Sequence, residues 1–170
     1  MITVDIHECD GRKLWPLFAP HHYLTDKYTG IKAFVAVMDG ELVGFTSYIS
    51  LFGFSQPQPA RRGHRTVVLP DFQGMGIGMK LSEWLGERCH MDGYRYYSKT
   101  SHPRMGEYRN GSPLWRGSVK NGKARSKGEV EYAAVKRNHN MKSQVSYSHE
   151  YIGSDVDLYA WVMEQRRVTK

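Results

Sequence analysis

The chain has 170 residues, of which 40% are hydrophobic and 12% aromatic. This length and composition indicate one folded domain and exclude an intrinsically disordered chain. No apolar run approaches the ~20 residues that a membrane-spanning helix needs. The acidic N-terminus does not resemble a signal peptide, so a cytoplasmic location is expected. The formal net charge of +7 favours a polyanionic partner, although it can equally serve a phosphate-bearing cofactor or solubility alone.

The first half of the chain predicts a strand, short helical pieces and a hairpin. Residues 2–6 alternate in hydrophobicity and predict a strand. Asp10 predicts the N-cap of a short helix that reaches Phe18 and ends before Pro20, with residues 21–24 as a second helical piece. The hairpin signal is strongest: residues 32–38 and 41–50 predict two strands around an Asp39-Gly40 turn. Residues 51–63 are predicted to form a loop, and residues 66–69 a strand that ends at Pro70.

The second half of the chain predicts alternating helices and strands. We expect helices over residues 79–89, 103–109 and 155–167, and strands over residues 94–99, 129–135 and 144–152. Residues 110–128 are predicted to form a long loop that contains Trp115. The last helix carries Val156, Tyr159, Ala160 and Met163 along one side, which can pack on its own sheet or on a second copy of the chain. The order predicts an α+β fold, a single domain with a mixed, mostly antiparallel sheet of six to seven strands flanked by helices.

The most informative stretch is the glycine-rich loop of residues 73–78. An apolar strand ends at Pro70, and Gly74, Gly76 and Gly78 then lead into a helix. Glycines let the backbone approach a ligand, and the helix N-terminus adds a partial positive charge, so the loop is suited to a pyrophosphate. Neither the P-loop string nor the dinucleotide string GxGxxG is present. The alternative is a glycine-rich turn without a ligand.

This loop resembles the acyl-CoA motif of the GNAT superfamily of N-acyltransferases. The similarity lies in Val68-x-Pro70 followed by Gln73-Gly74-x-Gly76-Ile77-Gly78, which fits the family pattern (Q/R)xxGx(G/A). The hairpin before the loop and the strand and helix after it also follow the family order. The resemblance covers residues 1–152 of a single GNAT-like domain over residues 1–170, and residues 153–170 form a C-terminal helical extension.

The resemblance implies an acyl-CoA cofactor, acetyl-CoA or another acyl-CoA, and an amine acceptor that attacks the thioester directly. It places the pantetheine arm along the strand and the pyrophosphate at the loop. The implied cofactor-binding residues are Val67, Val68, Leu69, Gln73, Gly74, Met75, Gly76, Ile77, Gly78 and Met79.

The candidate catalytic residues are Tyr108 and His64. Family members place a tyrosine acid on the helix after the fifth strand, which implies that role for Tyr108; an ordinary half-buried tyrosine is the alternative. Family members also carry a carboxylate base on the strand before the loop, and this chain departs from that pattern because residues 63–70 contain no Asp or Glu. His64 is the one base-like side chain there. A water-relayed base, or none, and a simple strand-entry histidine remain open.

Other polar residues suggest how an acceptor is held. His21 and His22 are predicted to line the acceptor pocket or to cap the sheet edge, since no Cys or carboxylate lies at metal-ligand spacing and no metal site is predicted. Ser101 and His102 follow a strand end, where α/β proteins collect functional groups. Trp115 lies among basic runs and is predicted to stack on a base.

The wider pattern is similar to a narrower group, the GNAT domains joined to ABC-type ATPases and the phage Mom-like enzymes that modify adenine in DNA. This resemblance implies a DNA acceptor and, for a phage-encoded enzyme, the host cytoplasm. The basic runs at residues 61–62, 120–127 and 136–137 would then contact phosphates, whereas solvated lysine-rich loops are the alternative. Two readings stay open: an N-acyltransferase, or a GNAT-like module that binds CoA or nucleic acid without acetyltransferase activity.

Overall fold

The computed structural model describes residues 3–23, 26–51, 58–123 and 145–165, which form one seven-stranded sheet with helices on both faces. The helices are α1 (Gly11–Phe18), α2 (Ile77–Met91), α3 (Pro103–Gly111) and α4 (Val156–Glu164). The strands are β1 (Asp5–Cys9), β2 (Lys32–Met38), β3 (Glu41–Leu51), β4 (Ala60–Val68), β5 (Arg95–Thr100), β6 (Trp115–Gly117) and β7 (Tyr147–Tyr151). Their order is β1-β2-β3-β4-β5-β7-β6, and only β4 and β5 pair in parallel. The predicted α+β fold with a mixed, mostly antiparallel sheet is confirmed.

The parallel strands β4 and β5 stay together for only three residues. Ala60, Arg61 and Arg62 pair with Arg95, Tyr96 and Tyr97. Beyond that point β4 continues its pairing with β3 to Val68, while β5 continues with β7 to Thr100. The two strands therefore diverge and open a cleft in the middle of the sheet, and the chain leaves both strands at this end to enter α2 and α3.

A β-bulge marks the start of this cleft. Tyr48 of β3 pairs with Gly63, but its neighbour Ser47 pairs with Arg65, so His64 is an extra residue in β4. A bulge bends its strand and increases the local twist, which turns β4 away from β5. Gly63 is needed here because the Tyr96 hydroxyl lies 2.6 Å from the position a Cβ would take. The Tyr96 side chain of β5 thus lies against the backbone of β4 at the point where the two strands separate.

Helix α1 covers one face of the sheet. The Asp10 carboxylate accepts hydrogen bonds from the backbone N–H groups of Arg12 and Lys13 at 3.1 and 3.3 Å, which confirms the predicted N-cap. Trp15 and Phe18 are buried, and their rings lie 5.6 and 5.3 Å from the ring of Phe45. The helix ends at Phe18, and a single turn of 3-10 helix follows over Ala19–His21. It overlaps the second helical piece predicted over residues 21–24 only at His21, and residues 22–23 are not helical.

Helix α2 covers the opposite face of the sheet. Leu81 and Leu85 are buried there, and Trp84 packs edge-on against Phe34 at 4.9 Å. Gly86 lies directly against the ring of Tyr151, since a Cβ at this position would come within 2.5 Å of two ring atoms. Close contact between α2 and β7 therefore depends on a residue without a side chain.

The buried carboxylate of Glu150 ties the C-terminal helix to the sheet. It accepts hydrogen bonds from Arg95 Nε at 2.7 Å, from Arg116 Nη2 at 2.5 Å and from the Tyr159 hydroxyl at 3.0 Å. A buried carboxylate needs such partners because it has lost its contact with water. Removal of one partner would leave part of the Glu150 charge uncompensated. Helix α4 buries Val162, whereas Val156 and Ala160 are exposed, so the predicted apolar side was wrong in these two residues.

Several predicted boundaries are corrected by the structure. β1 runs from Asp5 to Cys9 instead of covering residues 2–6, and α2 begins two residues earlier than predicted. Residues 60–63 belong to β4, because pairing with β3 and β5 imposes an extended backbone on a polar segment that reads as a loop. The late strand predicted over residues 129–135 lies outside the described residues. No helix within the four described ranges is long and apolar enough to cross a lipid bilayer.

Replacement of Gly86 by Ala should destabilise the protein, because the new methyl group would overlap the ring of Tyr151. We expect a loss of about 1–3 kcal/mol in the free energy of unfolding, which is the usual cost of an overpacked core. Urea denaturation followed by circular dichroism measures it. Gly111→Ala is the matched control, since it also lies in a helix but has no atom within 4 Å of the Cβ position. An equal loss in both variants would contradict the packing explanation.

Candidate active site

The glycine-rich loop connects the end of β4 to α2 with a backbone that requires glycine at two positions. Pro70–Phe72 forms one turn of 3-10 helix, and Gly74 and Gly76 then have φ angles of +86° and +80°. No atom lies within 4 Å of a Cβ at either position, so the requirement comes from the backbone conformation and not from crowding. The loop surface is consequently open to a ligand.

The N–H groups of this loop are available to bind an anion. Gly76 is the N-cap of the 15-residue helix α2, and its carbonyl accepts from the amides of Met79 and Lys80. In the part of the chain that the structure describes, the backbone N–H groups of residues 74–78 donate to no protein atom. Unpaired amides at a helix N-terminus, together with the helix dipole, form a site for a phosphate group.

The loop lies beside the cleft between β4 and β5. The Gln73 side-chain amide donates to the carbonyl oxygen of Val68 at 2.9 Å and so ties the loop to the end of β4. A Cβ at Gly78 would lie 3.4 Å from Val68 Cγ2 and 3.7 Å from Met105 Cε, so α2, β4 and α3 converge here. Of the other predicted cofactor residues, Val67 is buried and Leu69 packs beside it on the α1 face. Their side chains support the strand, which leaves the strand backbone to face the cleft.

Tyr108 lies on α3 one turn after Met105, which places both side chains on the same part of the helix surface. Its hydroxyl donates a hydrogen bond of 2.6 Å to Glu83 Oε1, and Lys80 Nζ lies 2.9 Å from Glu83 Oε2. The Glu83 side chain is 7% exposed, whereas that of Lys80 is 76% exposed. The hydrogen bond to Glu83, reinforced by desolvation and by the Glu83 charge, raises the pKa of Tyr108 above its ordinary value. The phenol therefore stays protonated at neutral pH.

Glu83 was not among the residues predicted from the sequence. It lies within the apolar run LSEWL of α2, where a single carboxylate is typical of a solvent-exposed helix position. Its burial and its contact with Tyr108 depend on how α2 and α3 pack, and no local pattern encodes that packing. A carboxylate therefore does reach the site, from a helix and not from the strand that carries it in the resembling family.

His64, the bulge residue, occupies the α1 face of β4. Its Nε2 accepts a hydrogen bond of 3.0 Å from the backbone N–H of Thr29, which assigns the proton of the neutral ring to Nδ1. Burial, and then the charges of Arg65, Arg62 and His22, lowers the pKa of His64 to about 4. Its basic nitrogen is both engaged and weakly basic, which argues against His64 as the general base.

His22 lies near His64 on the same face. Its ring is 5.6 Å from Trp15 and 4.9 Å from Tyr23, and burial followed by the charge of Arg65 lowers the pKa of His22 to about 4. His21, in contrast, is exposed. The structure thus brings together two of the predicted histidines on the face of the cleft opposite α2.

Ser101 and His102 lie at the end of β5, where the chain enters α3. His102 is the N-cap of α3: its Nδ1 accepts from the Met105 amide at 3.4 Å, and its own amide donates to Thr100 Oγ1 at 3.0 Å. These contacts fix the start of the helix that carries Tyr108. The described residues contain no group of three or more His, Cys, Asp or Glu side chains that could hold a metal ion.

Trp115 does not line the site. It is 5% exposed and packs with Tyr96 and Tyr151, and the Arg109 guanidinium lies 4.4 Å from the ring centre. A ring covered in this way offers no face to a nucleobase, which argues against its predicted role in acceptor binding. The sequence around Trp115 predicts a loop, but the structure forms the edge strand β6 there. The pairing of β6 with β7 accounts for the burial of Trp115.

The basic run at residues 61–62 is partly used inside the protein. The Arg61 guanidinium lies 3.8 Å from the ring centre of Tyr94, and its Nη1 donates to Ser50 Oγ at 2.6 Å. Arg62 is exposed on β4. Residues 124–127 of the run over residues 120–127, and all of the run over residues 136–137, lie outside the described residues.

Comparison with known proteins identifies the fold. Residues 29–110 match the family model described as an acetyltransferase (GNAT) domain. No curated protein sequence matches the chain significantly. Among solved structures, the ribosomal-protein-S18-alanine N-acetyltransferase of Escherichia coli is similar with a TM-score of 0.54 at 10% identity, over 88% of this chain and 93% of that one.

Two further similar structures contain bound ligands. Naa50 of Arabidopsis thaliana, in complex with the bisubstrate analogue CoA-Ac-MVNAL, has a TM-score of 0.56 at 12% identity, over 88% of this chain and 98% of that one. A GNAT family acetyltransferase of Elizabethkingia anophelis with acetyl-CoA bound has a TM-score of 0.53 at 15% identity, over 87% and 97%. The chain therefore has the GNAT fold, and its residues 29–110 match the model of a GNAT acetyltransferase domain.

Proposed function

We propose that the protein is an acyl-CoA-dependent N-acyltransferase whose acceptor is an amine. The observation that carries the proposal is the set of N–H groups at residues 74–78, which bond to no described protein atom and lie beside the cleft where β4 and β5 diverge. Tyr108 supplies a hydroxyl group next to that loop, on the helix that follows β5. A phosphate site, an open strand edge and a proton-carrying side chain thus occur together.

The residues fit an acyl-CoA. The open loop and the N-terminus of α2 suit the pyrophosphate. Among the described residues, no strand pairs with β4 beyond Arg62 on the β5 side, so an extended pantetheine arm can pair there. The related enzyme of Elizabethkingia anophelis has acetyl-CoA bound, and the Arabidopsis protein has a CoA-containing analogue. The proposed cofactor-binding residues are those predicted from the sequence, namely residues 67–69 and 73–79.

The cofactor supplies an activated acyl group: the amine nitrogen bonds to the acyl carbon, the carbon–sulfur bond breaks, the nitrogen loses a proton and the sulfur gains one. Tyr108 is the side chain that we place at the reacting atoms, since its hydroxyl can hold or move a proton there. His64 and His22 contribute to the opposite face, where neutral imidazoles of low pKa can contact an acceptor without repelling a cationic amine. Ser101 and His102 shape the start of α3.

A nucleobase amine in DNA is a more specific hypothesis for the acceptor. The net charge of +7 and the exposed Arg62 support it, whereas the burial of Trp115 removes the predicted stacking residue. Mass spectrometry of nucleosides from cells that express the protein would reveal an acylated base. DNA binding that does not weaken as salt is raised from 50 to 200 mM would contradict a role for the basic residues in phosphate contact.

A binding module without catalysis is the alternative function. It shares the phosphate cradle and needs no proton carrier, so it predicts acyl-CoA binding without thiol release for any amine. A panel of primary amines, assayed for free thiol after addition of acetyl-CoA, separates the two. Persistent absence of thiol release in a protein that binds acetyl-CoA would favour the binding module.

Replacement of Gly76 by Ala should weaken binding of CoA. A side chain at φ +80° disfavours the loop conformation and turns its N–H groups away from the phosphate, and loss of one charge-assisted bond of about 1.5 kcal/mol lowers affinity about tenfold. Isothermal titration calorimetry with CoA measures the change, and pantetheine, which has no phosphate, should bind both proteins equally.

Gly40→Ala is the matched control for this variant. Gly40 has φ +82° in the β2–β3 turn, also with no atom within 4 Å of a Cβ, so both variants should lose a similar ~1–2 kcal/mol of stability. Only Gly76→Ala should lose affinity for CoA. Equal affinities in the two variants, or an equal loss with pantetheine, would contradict the placement of the pyrophosphate.

Replacement of Tyr108 by Phe should lower kcat by about 10²-fold or more, because one positioned proton-transfer group typically contributes that much. The rate of thiol release at saturating acetyl-CoA measures it. Tyr147→Phe serves as the control, since the Tyr147 hydroxyl also donates to a carboxylate of α3, that of Glu107, at 3.0 Å. A comparable loss in both variants would point to helix packing as the cause.

A further inference from the structure

Within the proposed function, the hydrogen bond of Tyr108 determines which way its proton can move. A phenol has one proton, and in this structure that proton is directed to Glu83 Oε1 over 2.6 Å. The lone pairs of the phenolic oxygen are then the part of the hydroxyl that remains for a substrate. A group in this arrangement accepts a proton from the site and passes its own proton to the carboxylate.

We propose that Tyr108 and Glu83 form a proton relay that removes the proton from the attacking amine, so that the pair supplies the base which β4 lacks. Glu83 acts through Tyr108 and is a positioning residue that also takes up the proton. The inference rests on the proposed acyl transfer. It reverses the role that the sequence predicts for Tyr108, which becomes a proton acceptor instead of an acid.

The groups that face the Glu83 carboxylate are cations and phenols. Lys80 of α2 contacts it at 2.9 Å, and Arg109 of α3, 2% exposed, interacts with it electrostatically. From β7, Tyr151 also interacts with Glu83, and its hydroxyl donates to Glu87 Oε2 at 3.2 Å. Among the described residues, two cations and two phenols, Tyr108 and Tyr151, therefore interact with the carboxylate.

Every proton that the relay moves has a donor and an acceptor. As the nitrogen forms its bond to the acyl carbon, its proton moves to the Tyr108 oxygen, and the phenolic proton moves to Glu83 Oε1. The sulfur leaves with the electron pair of the carbon–sulfur bond and takes a proton from water, and Glu83 returns its proton to solvent along the side of Lys80, which is exposed. Tyr108 itself never carries a net charge. This agrees with its raised pKa, since a phenolate beside Glu83 is disfavoured.

The test compares kcat/KM of wild type and of Glu83→Gln at pH 8, in H₂O and in D₂O, with acetyl-CoA and the fastest primary amine of the panel. Protonation of the amine affects both proteins equally, so the ratio of their rates isolates Glu83. We expect a ratio of about 10², and a solvent isotope effect in the wild type that Glu83→Gln loses, because the relay moves two protons together. A ratio near one, or an isotope effect that the substitution leaves unchanged, would overturn the relay.

Glu87→Gln provides the matched control, since Glu87 lies one turn further along α2 and bonds to Tyr151 and not to Tyr108. Its rate should stay near that of the wild type, with the same isotope effect. Tyr108→Phe is a second variant that does not depend on the folding of Glu83→Gln. It should lose the isotope effect as well, and the double variant should be no slower than either single one.

The outcomes separate the relay from the proposed function. Absence of thiol release by the wild type with every amine would overturn acyl transfer and the relay together. Thiol release with additive effects of the two substitutions would overturn the relay alone and leave the acyltransferase in place. Non-additive effects together with loss of the isotope effect support the relay, because a carboxylate that only supports the fold would leave the isotope effect unchanged.

Discussion

The divergence of β4 and β5 is the constraint on which the rest of the structure depends. Three residue pairs hold the parallel strands together, and the bulge at His64 then turns β4 away. Every group that we place in the site is positioned by this separation. The loop at which we propose phosphate binding starts at the end of β4, Tyr108 lies on the helix that follows β5, and the two histidines of low pKa lie on the opposite face. Because β3 and β7 complete the pairing on the outer sides, the cleft opens without loss of the sheet.

The contact between α2 and α3 gives the site its chemistry. Helix α2 contributes its N-terminus to the loop and, two turns later, the buried carboxylate of Glu83. Helix α3 contributes Tyr108, whose hydroxyl meets that carboxylate. One helix pair thus joins the proposed phosphate-binding end of the cleft to the carboxylate that we propose as the proton acceptor. In this proposal, Glu83 takes the place of a carboxylate on β4.

The glycine loop and the hairpin were predictable because their signals are local. Gly74 and Gly76 adopt the positive φ angles that only glycine accepts easily, and Asp39-Gly40 forms the expected turn. Glu83 and Trp115 were not predictable, for one physical reason. Their environments depend on residues far away in sequence: Tyr108 for the first, Tyr96 and Tyr151 for the second. The start of β4 was missed on the same grounds, since a polar segment became a strand only through pairing with β3.

The central claim is that the amides of residues 74–78 hold the phosphates of an acyl-CoA. Nuclear magnetic resonance of the ¹⁵N-labelled protein reads these amides one by one during a titration with CoA. If these amides bind the phosphates, the chemical shifts of the Gly74, Gly76 and Gly78 amides should change strongly during the titration. The amide of Gly40 should change little, because Gly40 has a similar positive φ to Gly74 and Gly76 but lies in a distant turn. Unchanged signals for the loop glycines at saturating CoA would contradict this claim.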